Sequence, residues 1–435
     1  MMRFPKTRIP TLAMAGAICL LSTPMLWGGN GKGQRSGGGK NNPPLDVAYR
    51  LSWLGTLGGA DSIARDINDW GVVVGDSQDD DGNRRAFRVV PVGDLEIDNG
   101  QLKYWLDVDN DGINDLMEDL NVIDGAPTSW IDSEDPAVPA TGWLAYYAHG
   151  INTWGEIVGL AWHPATDESR AFLFSDLPNP QFLLLPRMGP GRPRARAIND
   201  LGTIVGILWD PGVRTDAIVY TWNSSSGQYE GNHLLHPGTG NPIAVDLSGR
   251  GIDINNTGQI VIAGLDSSSG YSGWRGTANV AGGFDWESFE HLRPSAINQT
   301  GAFAGSVWPP KKPYDDDASF RYSDDNGLEI IKQGKSQDVA MGINSSGDVC
   351  LIGVYGGTNH RPYLYWEGDL STREDNVLVP LDELVVGTNG DLALWNEPGP
   401  AVPWAINMRD NPTGFAQICG GAGEAFVLTP EVPQQ

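Results

Sequence analysis

The sequence is poor in cysteine, histidine and basic residues. It has 3 cysteines and 6 histidines in 435 residues, and its 29 Lys and Arg stand against 54 Asp and Glu. The formal charge of -25 repels phosphate backbones, so nucleic acid is excluded as an expected partner. Only Cys350 and Cys419 lie beyond the N-terminal segment, and a chain of this size needs no disulfides for its core. Whether these two cysteines pair stays open at this level.

Recognisable catalytic motifs are also missing. The chain has no His-Glu-x-x-His and no Gly-x-Ser-x-Gly pattern, and its histidines lack metal-ligand spacing. The glycine cluster at 420–423 precedes no helical pattern, which favours a turn over a nucleotide-binding loop. We therefore assign no catalytic and no organic-cofactor residues, and we favour a non-catalytic role.

Glycine, proline and apolar residues are plentiful. The 57 glycines and 30 prolines interrupt the chain too often for a coiled coil or a helical bundle. Hydrophobic residues make up 40% of the chain, which excludes general disorder. Many short strands joined by Gly, Asn and Asp turns fit this composition, so we predict an all-β protein.

The N-terminal 29 residues are typical of an export signal. Arg3, Lys6 and Arg8 precede an apolar run from Thr11 to Trp27, and no comparable run follows. Residues 1–29 are thus predicted to be a signal peptide, with an uncleaved anchor as the alternative, and the mature chain should have no membrane span. Residues 30–43 are predicted to be a flexible linker rich in Gly and Lys. The expected location is secreted, cell-surface or periplasmic.

An internal repeat is the strongest pattern in the chain. Each copy reads Ala-x-x-Ile-Asn-x-x-Gly, with some substitution at the Ala, and then continues with apolar residues and a second Gly. The first copy runs from Ala64 to Gly75, and the Ile-to-Ile steps are 84, 47, 56, 43, 46 and 63 residues. The seven copies are centred on Ile67-Asn68, Ile151-Asn152, Ile198-Asn199, Ile254-Asn255, Ile297-Asn298, Ile343-Asn344 and Ile406-Asn407.

One copy predicts four strands. Asn-x-x-Gly predicts a hairpin turn, because Asn and Gly both tolerate the left-handed backbone of such turns. The apolar residues after Gly71 form the second strand, which we expect to end at Gly75, where a side chain would clash. An aromatic strand such as Arg85-Ala86-Phe87 comes third, and an apolar segment such as Phe182 to Leu185 comes fourth.

Four-stranded antiparallel units that recur every 43–60 residues or so predict the blades of a β-propeller. Seven copies predict seven blades, with a solenoid and a six-bladed ring as alternatives. The last copy has no fourth strand after residues 424–428, whereas residues 47–54 form an unpaired strand before the first copy. We therefore predict that an N-terminal strand closes the ring, which removes two exposed edges. The propeller should span residues 44–430, followed by a tail at 431–435.

These repeats resemble the HAF family of bacterial extracellular repeat proteins. The resemblance is carried by the Leu-Gly-Thr-Leu-Gly-Gly segment at 54–59 and by Ser62, Ala64, Ile67-Asn68 and Arg85-Ala86-Phe87, where the family tripeptide begins with His. It extends in diluted form over about residues 47–430. The resemblance implies export and a repeat fold, and it implies no defined reaction and no catalytic residue.

A calcium-type loop is the one sharp ligand motif. It lies in an insertion at about 102–142, which we expect to have no strands of its own. The segment 107–118 resembles an EF-hand loop and a thrombospondin type 3 repeat, with Gly112 at the sharp bend and Asn114 where an EF-hand has an apolar residue. A solvated acidic turn is the alternative. The predicted Ca²⁺ ligands are Asp107, Asp109, Asp111, Ile113, Asp115 and Glu118.

The sequence thus indicates an exported binding or scaffold protein with one structural calcium loop. We expect a monomer whose partner is an extracellular protein or polysaccharide. The alternative is a propeller enzyme that acts on glycans through carboxylates on the loop face, where acidic triplets recur at 79–81 and 315–317. The tryptophans are expected mainly in the blade cores.

Overall fold

The computed structural model contains a unit at residues 43–435, described here, and a separate unit at 1–42. The predicted export signal and linker lie outside the described residues, as does the tail from 432 onwards. The described residues are 48–93, 102–177, 179–210, 214–245, 251–266, 270–279, 282–307, 318–331, 337–355, 359–366, 377–385, 402–407, 417–421 and 423–431.

Seven antiparallel sheets confirm the predicted seven-bladed β-propeller. The repeated Ile ends the first strand of each four-stranded blade. These inner strands are β2 (Gly58–Ile67), β9 (Leu144–Ile151), β13 (Arg192–Ile198), β17 (Ile252–Ile254), β21 (Leu292–Ile297), β25 (Gln337–Ile343) and β29 (Val402–Ile406). We number the blades one to seven in this order.

The second and third strands follow as antiparallel partners of the inner strand. The second strands are β3 (Val73–Asp79), β10 (Ile157–His163), β14 (Ile204–Asp210), β18 (Gln259–Asp266), β22 (Phe303–Val307), β26 (Val349–Tyr355) and β30 (Ile418–Gly421). The third strands are β4 (Arg84–Val89), β11 (Glu168–Ser175), β15 (Arg214–Asn223), β19 (Gly270–Ala278), β23 (Ala318–Ser323), β27 (Asn359–Trp366) and β31 (Ala425–Glu431).

The outer strands complete the blades. They are β5 (Met117–Asp119), β12 (Gln181–Leu184), β16 (Gln228–His233), β20 (Phe284–Glu290), β24 (Gly327–Ile331), β28 (Val377–Pro380) and, for the seventh blade, β1 (Ala48–Gly55). Strand β1 pairs antiparallel with β31 from Ala48 opposite Glu431 to Gly55 opposite Ala425. The predicted closure by an N-terminal strand is therefore confirmed.

The insertion between the first two blades differs from the prediction, because it contains strands. Residues 117–119 are the outer strand of the first blade, and β6 (Val122–Ile123) pairs with β7 (Ala126–Pro127). Strand β8 (Ser129–Asp132) adds a fifth strand to the second blade, parallel to β12. It brings Trp130 into the core, where the indole stacks on Phe182 with ring centroids 4.1 Å apart. Apolar side chains order this half of the insertion.

Helix is scarce in the described part of the chain, where α1 (Leu381–Leu384) is the one α-helix. No helix among the described residues is long and apolar enough to cross a membrane. Cys350 and Cys419 lie on the second strands of neighbouring blades, buried and without a disulfide. Burial raises the pKa of Cys350 to about 12, which leaves its thiol unreactive near neutral pH.

The repeated asparagines form a buried ring that joins the blades. The Asn68 Oδ1 atom accepts hydrogen bonds from the backbone N–H groups of Trp70 and Val72, both at 3.0 Å. Its Nδ2 atom donates to the carbonyl oxygen of Asn152 in the next blade at 3.1 Å. The same bond to the next blade recurs from Asn152, Asn199, Asn255 and Asn298, and Asn407 donates back to Asn68.

This ring corrects the predicted role of Asn in the turn. Gly71 has a φ of 78°, as expected for the left-handed position, and its counterparts in the second to sixth blades behave alike. None of the seven repeated asparagines, all of which are described, has a positive φ. The Asn therefore contributes its side-chain amide and not a left-handed backbone. The amide oxygen accepts hydrogen bonds within its own turn, and the amide nitrogen donates to the neighbouring blade.

Candidate functional site

A β-bulge interrupts the inner strand of six blades at the same place. The bulged residue stands two positions before the repeated Ile, so that the pairing skips Arg65 in the first blade and Arg196 in the third. The other four bulges skip His149, Ser295, Met341 and Trp404. Bulges re-aim a side chain out of the regular alternation of a strand.

The second glycine of the repeat lies opposite five of these six distortions, whereas Leu351 takes its place in the sixth blade. A Cβ atom on Gly75 would sit 2.0 Å from the carbonyl oxygen of Ile63, and one on Gly206 would sit 2.1 Å from that of Arg194. The predicted clash is therefore real, although β3 runs on to Asp79 instead of ending at Gly75. The glycine makes room for the backbone of the bulge.

The bulged residues surround a cavity of about 230 Å³ between the inner strands, here called the axial channel. Ile252 of the fourth blade takes the equivalent position without a bulge, paired in register with Ile262. The repeated Ile of all seven blades also lines the channel, together with Asn68, Asn152 and Asn407. The repeated Ile and Asn are the same in all seven blades. In contrast, the bulge position reads Arg, His, Arg, Ile, Ser, Met and Trp around the ring.

The basic side chains that line the channel, Arg65, His149 and Arg196, lie on the first three blades, where Asp69 and Asp200 line it too. The Nη1 atom of Arg196 lies 3.5 Å from Nε2 of His149, whose ring stacks on Tyr147 with centroids 5.6 Å apart. The Arg65 guanidinium lies 5.2 Å from the Tyr147 ring centroid and 5.6 Å from that of Trp404. Burial lowers the pKa of His149 well below its usual value, and the charges of the nearby arginines lower it further, so the imidazole is neutral at pH 7.

Asp66 and Asp253 follow the bulge position and directly precede the repeated Ile of their blades. Asp66 Oδ2 accepts a hydrogen bond from the backbone N–H of Ile151 at 2.9 Å, and Asp253 Oδ2 accepts one from Ile297 at 2.9 Å. Each carboxyl thus connects its own blade to the next. Burial raises the pKa of Asp66 to about 7 and that of Asp253 to about 6. The other blades have Gly150, Ala197, Ala296, Gly342 and Ala405 at this position.

These two carboxyls should make stability depend on pH. A carboxyl whose pKa is raised on folding contributes stability at acid pH, and that stability is lost as pH rises through the folded pKa. We expect the double variant Asp66→Asn, Asp253→Asn to gain in unfolding free energy relative to the unsubstituted protein between pH 5 and 8. The relative gain should be on the order of 1 kcal/mol or more.

Urea unfolding at several pH values measures this difference. Asp167→Asn is the control, because a hydrogen bond from Trp162 and the charge of Arg192 lower the pKa of Asp167. The difference in unfolding free energy between Asp167→Asn and the parent protein should therefore stay constant above pH 5. A double variant whose difference from the parent is equally flat would show that these carboxyls do not titrate between pH 5 and 8.

The calcium-type loop brings some of its predicted ligands together. Carboxylate oxygens of Asp107, Asp109 and Asp115 lie within 4.8 Å of one another. The loop bends through Asn110 and Gly112, whose φ values are 60° and 82°. The N–H of Ile113 donates to Asp111 Oδ1 at 2.8 Å, which holds Asp111 within the same loop.

Glu118, the predicted ligand at position 12 of the calcium-type loop, forms an ion pair with Arg88. Glu118 lies on β5, where its Oε2 atom is 2.8 Å from Nε of Arg88 in the neighbouring strand. Asn114 is buried and donates to the carbonyl oxygens of Leu54 and Tyr104 at 3.0 and 2.8 Å. Asn114, at position 8 of the loop, therefore anchors the loop to the closing strand β1. The sequence shows that Asn114 departs from the EF-hand pattern, but it does not show this contact.

The tryptophans divide between the core and the surface. Trp130, Trp143 and Trp274 are buried as expected. Trp70 and Trp154, both two residues after a ring asparagine, are 57% and 72% exposed. Their indole N–H groups donate to the carbonyl oxygens of Thr153 and Asp200 in the next blade. The expectation of core tryptophans is thus wrong at these turns.

Only the first of the two acidic triplets, at 79–81, lies among the described residues. Asp79 caps the turn between β3 and β4, where its Oδ1 atom accepts a hydrogen bond from the N–H of Asn83 at 2.7 Å. Its Oδ2 atom lies 2.9 Å from Nε of Arg85. The second triplet, at 315–317, lies outside the described residues. The described triplet thus contributes to the structure of its own turn.

Comparison with known proteins gives structural neighbours only. No protein-family profile matches the chain, and no curated protein sequence matches it. Similar solved structures include TolB from Acinetobacter baumannii, at 13% identity and a TM-score of 0.35, with 64% of each chain covered. Streptogramin B lyase is 11% identical with a TM-score of 0.32, covering 68% of this chain and 95% of the lyase.

A mutant of AofleA from Arthrobotrys oligospora is 10% identical with a TM-score of 0.36, covering 79% of this chain and 94% of its own. The match with TolB spans 64% of that chain, less than two thirds of its length. Likenesses this distant carry no conclusion about the activity of the present protein.

Proposed function

We propose that this chain is an exported, non-catalytic binding protein of HAF-type repeats that takes a small ligand into its axial channel. The observation that supports this most is the pattern of repetition. Ile and Asn recur in every blade because they pack and join the blades, whereas the bulge position differs almost everywhere. Positions with only a structural role stay uniform in a repeat, so the diversity at the channel wall favours a ligand site.

The alternative of a glycan-cleaving enzyme finds less support in the geometry. A general acid and base must contact the substrate and be free to exchange protons. Asp66 and Asp253 each hold two backbone amides instead, from their own blade and the next. They also stand on the first and fourth blades, in strands and not on the loop face.

A binding screen with substitutions inside and outside the channel tests the proposal. Soluble sugars and polysaccharide fragments are titrated calorimetrically, and the best ligand is retested with Trp404→Ala and Trp222→Ala. Trp404 lines the channel, whereas Trp222 is 53% exposed on β15. We expect about a fivefold loss with Trp404→Ala, because an aromatic contact is worth roughly 1 kcal/mol, and no loss with Trp222→Ala.

Two results would contradict the proposal. Equal binding by the parent and both variants would place the ligand elsewhere. Conversion of the ligand during incubation, followed by mass spectrometry, would identify an enzyme. Recovery of unchanged ligand together with a selective loss in Trp404→Ala would support a binding protein.

We also propose that the loop at 107–118 holds a structural Ca²⁺. Ca²⁺ prefers six to eight oxygen ligands, and Asp107, Asp109 and Asp115 already converge. Asp111 and the carbonyl of Ile113 would complete the set within the loop. Glu118 would join only by leaving Arg88.

Calcium should protect the loop and leave the blades unaffected. Limited proteolysis with chelator should cut between about residues 105 and 113, and calcium should suppress these cuts. Cuts at β5 and β8 are not expected in either state, because both strands pair within blades. The variant Asp107→Asn, Asp109→Asn should lose the protection, whereas Glu118→Gln should keep it. Identical cleavage with and without calcium would support the solvated acidic turn.

A further inference from the structure

We propose that the face carrying the Asn-x-x-Gly turns docks a basic segment of a partner protein, through the exposed residues Trp70, Trp154 and Leu201. These residues, here called the turn patch, occupy the same position in the turns of the first three blades. They are large and apolar, yet 57%, 72% and 72% exposed. Exposed apolar patches mark interaction sites, and Trp is among the residues that contribute most to protein interfaces. The turn patch is additional to the channel, whose wall is formed by other residues.

Hydrogen bonds between neighbouring turns make the patch continuous. The indole N–H of Trp70 donates to the carbonyl oxygen of Thr153 at 3.0 Å, which places its ring against the second turn. The indole N–H of Trp154 donates to the carbonyl oxygen of Asp200, the residue before Leu201, at 3.1 Å. Each ring is therefore held at its polar edge while most of its surface faces solvent. A side chain that is fixed in advance loses little conformational entropy on binding.

Later blades have polar residues at this position. Thr257, Thr300 and Ser346 replace the apolar residue in the fourth, fifth and sixth turns. The hydroxyl groups of Thr257 and Thr300 each donate to the Oδ1 atom of the asparagine in their own turn, both at 2.8 Å. The turn itself therefore requires no exposed apolar residue. Among these six turns the apolar residues are confined to three neighbouring blades, as expected for a docking surface.

The charge around the patch favours a basic partner. Asp69 and Asp200 directly precede two members of the patch, and Glu156 follows the second turn. The first six Asn-x-x-Gly turns contain no Lys or Arg. The hydrogen bonds that Glu156 and Asp200 accept come from neutral amide groups, which leave the negative charges in place. Ammonium and guanidinium groups bind both carboxylates and the faces of Trp rings.

Described basic residues near the patch are paired or too few to reverse this charge. Arg65, on the channel wall, forms an ion pair with the buried Asp76. Arg196 lies on the same wall, as does Asp253. Lys103 is exposed in the segment that packs on the first turn, and it offsets one of the three carboxylates. Two copies of the patch would bring like charges together, so a basic partner is favoured over self-association.

A matched pair of peptides tests this inference on the full-length protein. Calorimetry at an ionic strength of ~0.15 M compares a tandem Gly-Lys-Leu-Lys peptide with its counterpart that has Gln in place of Lys. We expect the lysine peptide to bind about tenfold or more tighter. Trp70→Ala and Trp154→Ala should each weaken it about fivefold, because each removes an aromatic contact without changing the charge of the protein.

Trp162→Ala and Leu265→Ala are the controls for lost apolar surface. The Trp162 indole N–H is also hydrogen-bonded, to Asp167 at 3.2 Å, and Leu265 is 45% exposed. Both lie near the ends of second strands that begin at a turn, and hence on the opposite side of the propeller. Neither substitution should change the affinity. Melting temperatures show whether each variant folds.

A second pair of variants tests the charge. Glu156→Gln can still accept the hydrogen bond from Asn152 but removes one carboxylate from the patch, so it should weaken the lysine peptide about threefold. Asp210→Asn removes one carboxylate at the far end of β14 and should have no effect.

Each other outcome overturns the inference. Binding that is equally sensitive to Trp154→Ala and Trp162→Ala, or to neither, would show general attraction to an acidic protein. Equal binding of the Gln peptide, or no binding of either peptide, would refute a basic partner. A dimer in analytical ultracentrifugation that disappears in Trp154→Ala would identify a second copy as the occupant. Loss of peptide binding in Trp404→Ala would place the peptide in the channel, whereas sugar binding that depends on Trp404 stands or falls separately.

Discussion

Removal of residues 44–54 is expected to destabilise the whole propeller, because it removes the outer strand of the seventh blade. Strand β1 pairs with β31 along nearly its full length and buries Tyr49 and Leu54 completely. Each such side chain contributes roughly 2 kcal/mol, and the ladder hydrogen bonds add to this. The loss of about 5 kcal/mol or more is comparable with the stability of a typical domain.

Thermal unfolding of chains that begin at residue 44 and at residue 55 measures this effect. The longer chain is the reference, since it keeps β1 and lacks only the N-terminal segment. The shorter chain should melt much lower or aggregate, because β31 becomes an exposed edge. Equal melting temperatures would mean that β1 contributes nothing to closure.

Breaking the asparagine ring should have the second largest effect. In Asn199→Ala the N–H groups of Leu201 and Thr203 lose their common acceptor, and the carbonyl of Asn255 loses one donor and keeps the hydrogen bond from the N–H of Gly258. These groups lie beside a residue that is only 2% exposed, so water cannot readily replace the lost bonds. Unsatisfied buried groups of this kind cost about 1–3 kcal/mol each, and we expect a total loss of about 3 kcal/mol.

A second substitution at the same position separates the turn from the link between blades. Asn199→Asp keeps the acceptor for the turn but replaces the donating amide by an oxygen that faces the Asn255 carbonyl. The penalty should be large at neutral pH and smaller at acid pH, because a protonated carboxyl can donate the missing bond.

Urea unfolding of both variants at pH 5 and 8 provides the measurement. Asn223→Ala, in the turn between β15 and β16, is the control, because its Oδ1 atom serves only local N–H groups in a solvated turn. It should cost less than about 1 kcal/mol. A loss in Asn199→Ala no greater than in Asn223→Ala would contradict a stabilising ring.

The sequence by itself determined the blade number, the strand order and the way the ring closes. Seven copies of one hydrophobic and turn pattern lead to seven sheets, because each copy must bury its apolar strands against a neighbour. The pairing of residues 48–55 with the last blade followed from a missing fourth strand. Gly75 was also interpretable in advance, since a glycine within an apolar strand implies a close backbone approach.

Only the tertiary structure decided which residues face the axial channel. Arg65, His149 and Trp404 look like unrelated variable positions, and a bulge at the same place in their three inner strands brings them to one channel. The same holds for Asn68 and its counterparts, whose turn was predictable but whose bond to the next blade was not. Asn114 and Glu118 follow a metal-loop pattern, yet their contacts are with β1 and Arg88. The sequence pattern predicts local backbone conformation and periodicity. Which residue a side chain contacts depends instead on how strands that are distant in sequence are arranged around the axis.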